Sequence, residues 1–481
     1  MSKEEPTAVF EVAQRPKSDL SATRKAEATR ARRALCETWV PSRFNVAVGL
    51  ARGLTAIYNT FSGATVIMRD RAWQQSLGPA PAHGVRSELA SEALQALYGR
   101  GFLVPKGVDE REVVRLHYQA SRFSSETLGI NLLCTLACNL RCPYCFEGTV
   151  QASHRRKTMS RETEEAVVAY VSRAVRGKKA IDLCWFGGEP LLAIGCMDRI
   201  SSQLISACTQ AGVTYNATLV TNATLLSREV VARLRGWRIG SIQVTVDVPR
   251  SAKRDLHGRD TLEKVLDNIG IASKRAALHL RVNLTADAEE EFDQLYRSLL
   301  QRGLDKTVDT IMIAQVFAPE CGRGSSGTRT VEHGRYVEIV TREYAKAAAL
   351  GLPVRRFFMT GPSDCCSATR VASAAIGPDG MLYKCVEDVG LENRAYGSVF
   401  VEGCVRQRNL TPWLCYDWFG HAMCDECPVL PQCAGGCAHK RLFQSDSLTD
   451  QDFCYWNVRG DLEERIREYA RIHASHRSLS F

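Results

Sequence analysis

The chain has 481 residues, 45% hydrophobic and 24% charged. That composition excludes a disordered or fibrous chain and allows roughly two or three domains with a large core. The net charge of +9 reads as a solvated, Arg-rich surface and gives no specific case for nucleic acid. No apolar run approaches the ~20 residues of a membrane span, and "MSKEEPTAVFEV" lacks an apolar signal segment. The expected location is therefore cytoplasmic, with no membrane or nucleic-acid partner.

Residues 1–40 form a charged, Ala-rich extension without apolar periodicity. "RFNVAVGLARGLTAIYNTFSGATVIM" predicts short strands joined by Gly turns. "RSELASEALQALYGRGFLV" predicts a helix, a Gly stop and a strand, and "DEREVVRLHYQASRF" a second helix. Residues 41–122 thus form a small α/β module.

Between 128 and 357 the pattern changes. Six strand-like runs alternate with amphipathic helical runs: "LGINLLCTL", "AIDLCWFGG", "TYNATLVTN", "SIQVTVDV", "LHLRVNLTA" and "VDTIMIAQVF" are the strands. Successive β/α units predict a parallel sheet with helices outside, here a partial (β/α)6 TIM-like barrel. Active sites of such sheets sit at the C-terminal ends of the strands. Residues 360–460 are rich in Cys, Gly, Pro and Asp, as in a small-core domain stapled by metal. Residues 461–481 supply a helix and a tail.

Nineteen cysteines are many for a reducing compartment, where clustered thiols bind metal more often than they form disulfides. Scattered ones, such as Cys36, Cys184, Cys196 and Cys208, suit small buried apolar positions. "CNLRCPYC", directly after the first barrel strand, sets Cys138, Cys142 and Cys145 on one loop. A structural zinc site prefers two separated pairs; three thiolates can also hold three corners of an iron–sulfur cubane. Chemistry alone leaves both open.

The loop resembles the CxxxCxφC signature of the radical S-adenosylmethionine (SAM) enzymes, with Tyr144 as the aromatic residue. The resemblance implies a [4Fe-4S] cluster on those three cysteines. Its open iron chelates SAM, and electron transfer cleaves SAM to a 5′-deoxyadenosyl radical. The second strand ends in "WFGGEP". Gly187 and Gly188 allow backbone to approach a ligand closely, and Glu189 followed by Pro190 resembles the element that binds the SAM amino group. "VTNAT" keeps Thr221 and Asn222 as SAM contacts, with Ala223 in place of a glycine. "VTVDVP" keeps Thr245 and Asp247, with Val248 in place of a glycine.

Farther on, Gly380 and Cys385 are spaced Gly-x4-Cys, and Cys424, Cys427, Cys433 and Cys437 follow at intervals of two, five and three residues, with Cys454 beyond. The series resembles the SPASM domain, which implies two auxiliary [4Fe-4S] clusters and three in all. Cys424, Cys427, Cys433 and Cys454 would hold the distal one. Cys366, Cys385 and Cys437 would hold the nearer one, with Cys365 able to replace or join Cys366. Cys404 and Cys415 are spare.

Relatives of this type mostly modify ribosomally made peptides. The expected function is hydrogen abstraction from a precursor peptide that forms a C–C or thioether crosslink. A flavodoxin or ferredoxin would supply electrons. The 41–122 module loosely resembles winged-helix domains that capture a leader peptide as an added strand; a barrel-supporting extension is the other reading. A sulfatase-maturing, formylglycine-forming enzyme is the first alternative, but Val386 stands where those relatives carry an Asp base. A non-catalytic iron–sulfur carrier is the second, and the intact GGEP element argues against it. The loop "PECGRGSSGTRTVEH", with Cys321, follows the sixth strand and so belongs to the reactive face.

Overall fold

The structure, a computed structural model, describes residues 39–69, 77, 91–149, 157–248, 258–273, 275–285, 291–316, 331–354, 365–403, 405–419, 421–443 and 459–475. Cys36, Cys321, Cys404 and Cys454, and most of the loop after the sixth strand, lie outside the described residues.

The chain divides into two compact units that do not follow chain order. The first takes residues 1–121, 356–365 and 417–481. Its strands are β1 (Trp39–Pro41), β2 (Asn45–Leu50), β3 (Leu54–Asn59), β4 (Thr65–Arg69) and β5 (Leu103–Pro105). β2, β3 and β4 form an antiparallel meander, and β1 pairs with β5. Ile57, Val66, Met68, Leu97 and Phe102 close one core beneath them. The C-terminal helix Arg459–Ser475 packs against β2 and β3. The helix Glu110–Phe123 is tied in through Glu110, whose carboxylate accepts from Ser42 Oγ at 2.6 Å and Arg43 N at 2.7 Å. Residues 417–443 join the same unit. Arg43 donates to Asp425 O at 2.7 Å, and Tyr118 meets Trp418 edge-on at 5.3 Å.

The second unit takes residues 122–355 and 366–416. It carries the six expected strands as β6 (Thr127–Leu133), β7 (Ala180–Phe186), β8 (Thr214–Thr221), β9 (Ile239–Val248), β10 (Ala277–Leu284) and β11 (Thr310–Gln315). All are parallel, in the order β11-β10-β9-β8-β7-β6. This is an α/β fold around a parallel-rich sheet. Burial alternates along each strand. Ile181, Leu183, Trp185, Ala217, Leu219, Ile242 and Val244 are buried, while Asp182, Asn216, Gln243, Thr245 and Arg281 between them are not. Parallel sheets usually bury both faces. Here one face is apolar and the other polar, as a sheet with helices on one side and a reaction space on the other requires.

The sheet continues where the sequence reading stopped. β12 (Ser373–Ile376) runs parallel to β6, and β13 (Met381–Tyr383) and β14 (Gly397–Ser398) follow antiparallel. Two short apolar runs around "GPDG" are a hairpin signal that the cysteine spacing overshadowed. Gly380, at φ +76°, makes the turn. Leu133, Leu136, Ala375, Tyr383, Val389 and Ala395 pack the extension onto β6.

Candidate active site

The loop after β6 carries Cys138, Cys142 and Cys145, all half-buried. Cys145 N donates to Cys142 O at 3.2 Å, so the last two lie on one tight turn. Leu140 N donates to Cys138 Sγ at 3.4 Å. Burial pushes the Cys138 thiol up to about 12, with Glu189, Cys145 and Glu147 adding to the shift. All of these groups are therefore close together.

Gly187 and Gly188 serve this loop directly. Gly188 N donates to Thr135 O at 3.1 Å and Glu189 N to Ala137 O at 2.8 Å. A Cβ on Gly187 would lie 2.3 Å from Thr135 O, and one on Gly188 2.3 Å from Ala137 O. The close backbone approach expected of these glycines is thus made to the segment leading into Cys138. Pro190 opens the one-turn helix Pro190–Ala193, with Glu189 as its N-cap.

Glu189 is fully buried. Its carboxylate accepts from Leu191 N at 3.0 Å, Thr221 Oγ1 at 2.8 Å and Asn222 N at 2.8 Å, joining the ends of β7 and β8. Asn222 Nδ2 donates to Asn139 Oδ1 at 2.9 Å and lies 3.8 Å from Cys138 Sγ. Asn139 Nδ2 in turn donates to Thr224 Oγ1 at 2.8 Å. Ala223, replacing the family's glycine, is held at φ +59° and fully buried. The left-handed backbone is kept without glycine, at a cost of roughly 1–2 kcal/mol.

Tyr144 turns toward the ends of β9 and β10. Its hydroxyl donates to Asp247 Oδ2 and accepts from Asn283 Nδ2 at 3.2 Å. Arg281 Nε orients Asn283 through Oδ1 at 3.0 Å. Burial and the Asp247 charge keep the phenol protonated. The expected residues Cys138, Cys142, Tyr144, Cys145, Gly187, Gly188, Glu189, Pro190, Thr221, Asn222 and Asp247 all lie on this one set of strand ends and loops. Sequence reading missed Asn139, Asn283 and Glu147. Asn139 stands inside the quoted motif, and Asn283 is the penultimate residue of β10, as Asp247 is of β9, so both carried a positional signal. Glu147 Oε1 is buried with no hydrogen-bond partner among the described residues. Burial, then the Glu189 carboxylate, pushes Glu147 up to about 8.

These residues fit the cofactors the family implies. The donors are three soft thiols on one loop, and paired buried carboxylates suit a cationic ligand such as the SAM ammonium. Among the described residues no three Cys, His, Asp or Glu side chains converge as a single-ion site requires. A cubane takes one thiolate per iron corner and so spaces its thiolates more widely than one ion does.

The C-terminal cysteines fall in both units. Cys385 is deeply buried and shifted well up, by burial first and with Cys366 among the nearby charges. Cys365 instead lies 3.6 Å from Ser121 Oγ, in the other unit. Cys366 is thus among the groups that interact with Cys385. Cys424, Cys427, Cys433 and Cys437 belong to the first unit. Cys427 N donates to Cys424 O at 3.2 Å. Ala434, Gly435 and Gly436 hold three successive left-handed conformations, at φ +48°, +77° and +82°, between Cys433 and Cys437. A Cβ on Gly435 would stand 2.4 Å from Trp418 Cβ.

Residues 132–299 match the Radical SAM superfamily. The radical SAM cyclopropyl synthase TigE of Paramaledivibacter caminithermalis is 20% identical over 72% of this chain and 76% of its own length. A serine-type anaerobic sulfatase-maturating enzyme of Klebsiella aerogenes is 23% identical over 70% of this chain and 85% of its own. The solved structure of native anSMEcpe with bound AdoMet and Cp18Cys peptide shares the fold with a TM-score of 0.55 at 17% identity, covering 73% of this chain and 98% of that one. The motif loop and the strand-end site both fall inside the matched stretch, so residues 132–299 form a radical SAM domain.

Proposed function

We propose that this chain is a peptide maturase of the radical SAM/SPASM type. It holds one SAM-binding and two auxiliary [4Fe-4S] clusters in a partial barrel with a cysteine-rich C-terminal domain, and it crosslinks a ribosomally made precursor. When bound, cluster and SAM supply the 5′-deoxyadenosyl radical. Cys138, Cys142 and Cys145 would ligate that cluster, and Cys366, Cys385, Cys424, Cys427, Cys433, Cys437 and Cys454 the auxiliary ones. Glu189 would accept from the SAM ammonium while it fixes Thr221 and Asn222. Asp247 and Asn283 hold Tyr144 in place at the strand ends. The polar face of the sheet would receive the peptide, and β4, at one edge of its meander, offers a strand for leader capture.

The observation that carries the reading is the company of the strand-end site and the Gly-x4-Cys…Cys-x2-Cys-x5-Cys-x3-Cys series in one chain. A crosslink removes two hydrogens from the peptide: one would leave as the hydrogen atom abstracted, the other as a proton and one electron that an auxiliary cluster would accept. A relative named for forming a cyclopropyl group agrees with carbon–carbon bond formation. Similarity to a sulfatase-maturating enzyme favours formylglycine as the second reading. Val386, packed against the core under the β12–β14 extension, leaves that reading without its expected base.

Co-expression with candidate precursor peptides and tandem mass spectrometry tests this. The expected product has lost two hydrogens and resists fragmentation between the linked residues. A hydrazine-reactive aldehyde would put formylglycine first.

A further inference from the structure

Lys384 immediately precedes Cys385, at a position the Gly-x4-Cys spacing leaves open. It is only 3% exposed. A buried ammonium is costly unless oxygens surround it, so its partners show what it is for. Nζ donates to Arg370 O at 2.5 Å, to Ser373 O at 2.9 Å and to Ser373 Oγ at 3.2 Å. All three oxygens belong to the stretch that follows Cys366.

That stretch is itself wound onto Cys366. Thr369 N and Thr369 Oγ1 both donate to Cys366 O at 2.9 Å. Arg370 N donates to Ser367 O at 3.2 Å, and Ser373 Oγ also donates to Ser367 O. One ammonium thus joins the hairpin strand that leads into Cys385 to the turn that presents Cys366. Along the backbone the two cysteines are joined through the β12–β13 hairpin.

We propose that Lys384 is the positioning residue of the nearer auxiliary centre. It locks the Cys366 turn to the Cys385 strand, and its charge raises the reduction potential of the iron–sulfur group held there. The inference rests on the cluster assignment above. Its sign follows from electrostatics. A fixed positive charge stabilises the added electron, and local charge is one of the levers that set cluster potentials. A higher potential suits a group that accepts electrons from an oxidised peptide.

The test uses the anaerobically reconstituted full chain as wild type, Lys384→Met, Lys384→Arg and Ser373→Ala. Iron content and EPR-monitored redox titration are the readouts, and the EPR change on adding SAM serves as internal control for the other cluster. In Lys384→Met the auxiliary signal should shift to lower potential or disappear together with its share of iron. Lys384→Arg should keep the iron and a potential close to wild type. Ser373→Ala removes one partner and should give a smaller shift of the same sign, readable even where Lys384→Met fails to fold. The SAM response should be alike in all four. Wild-type iron and wild-type potential in both Lys384→Met and Ser373→Ala would overturn the inference while the cluster assignment stands. A wild type showing only the SAM-responsive signal would overturn the assignment itself, and the inference with it.

Discussion

At the ends of β6–β10, Cys138 sits among Asn222, Asn139, Glu189 and Thr221, each held by partners from another strand. In residues 421–443, Cys424, Cys427, Cys433 and Cys437 sit on or beside the helices Ala422–Asp425, Leu430–Cys433 and Ala438–Phe443, of four, four and six residues. Helices that short have no independent stability. The first region is built by the sheet and needs only to be filled. On the proposed reading the second would draw much of its order from the clusters its thiols hold, as small metal-stapled segments do.

Gly188→Ala gives the largest expected effect on that contrast. Its new Cβ meets backbone in the sheet-built region, and overpacking of this kind costs about 3 kcal/mol. The melting temperature should fall in iron-free and reconstituted protein alike. Gly435→Ala meets Trp418 in the other region and should lower the melting temperature mainly of the reconstituted protein. Equal losses for both variants in iron-free protein would erase the distinction.

Iron removal comes next. Hydrogen exchange of residues 421–443 should accelerate roughly ten-fold or more without iron, while β6–β10 change little. Protection lost uniformly across both regions would show that the sheet site also depends on its cluster.

Asp247→Ala sharpens the comparison from the sheet side. It removes the acceptor of the Tyr144 hydroxyl, and a hydrogen bond to a charged group contributes about 1.5–3 kcal/mol. SAM binding, measured by calorimetry on reconstituted protein, should weaken roughly ten-fold or more. Iron content should stay at the wild-type level. Unchanged SAM affinity would remove Asp247 from the site.

The smallest effect belongs to Ala223→Gly. Relief of the left-handed alanine is partly offset by the greater freedom of glycine in the unfolded chain, so stability should rise by up to about 1 kcal/mol. A loss of stability on denaturant titration would show that the Ala223 methyl packs to more effect than its backbone costs.

The sequence displayed the six parallel strands to within three residues at each end, because apolar runs of strand length alternated with amphipathic helical runs. It also displayed the thiols, because soft-ligand spacing is local along the chain. It hid what depends on distant pairing. The β12–β14 extension needs β6 as a neighbour, and the first unit unites residues 417–481 with residues 1–121, far apart in the chain. Glycines read as room for a ligand proved to make room for backbone. Cys365 and Cys366 are equivalent by spacing, and only the fold shows Ser121 beside the first and Cys385 interacting with the second.

The central claim is that the strand-end loop, and no other cysteine set, supports SAM cleavage. The direct measurement is 5′-deoxyadenosine formed by the reconstituted full chain with SAM and a strong reductant. Wild type is compared with a variant carrying Ala at Cys138, Cys142 and Cys145. The account predicts product from wild type, none from the variant, and a variant that still holds its auxiliary iron, ~8 of ~12 atoms per chain. Product from the variant, or none from fully loaded wild type, would contradict it.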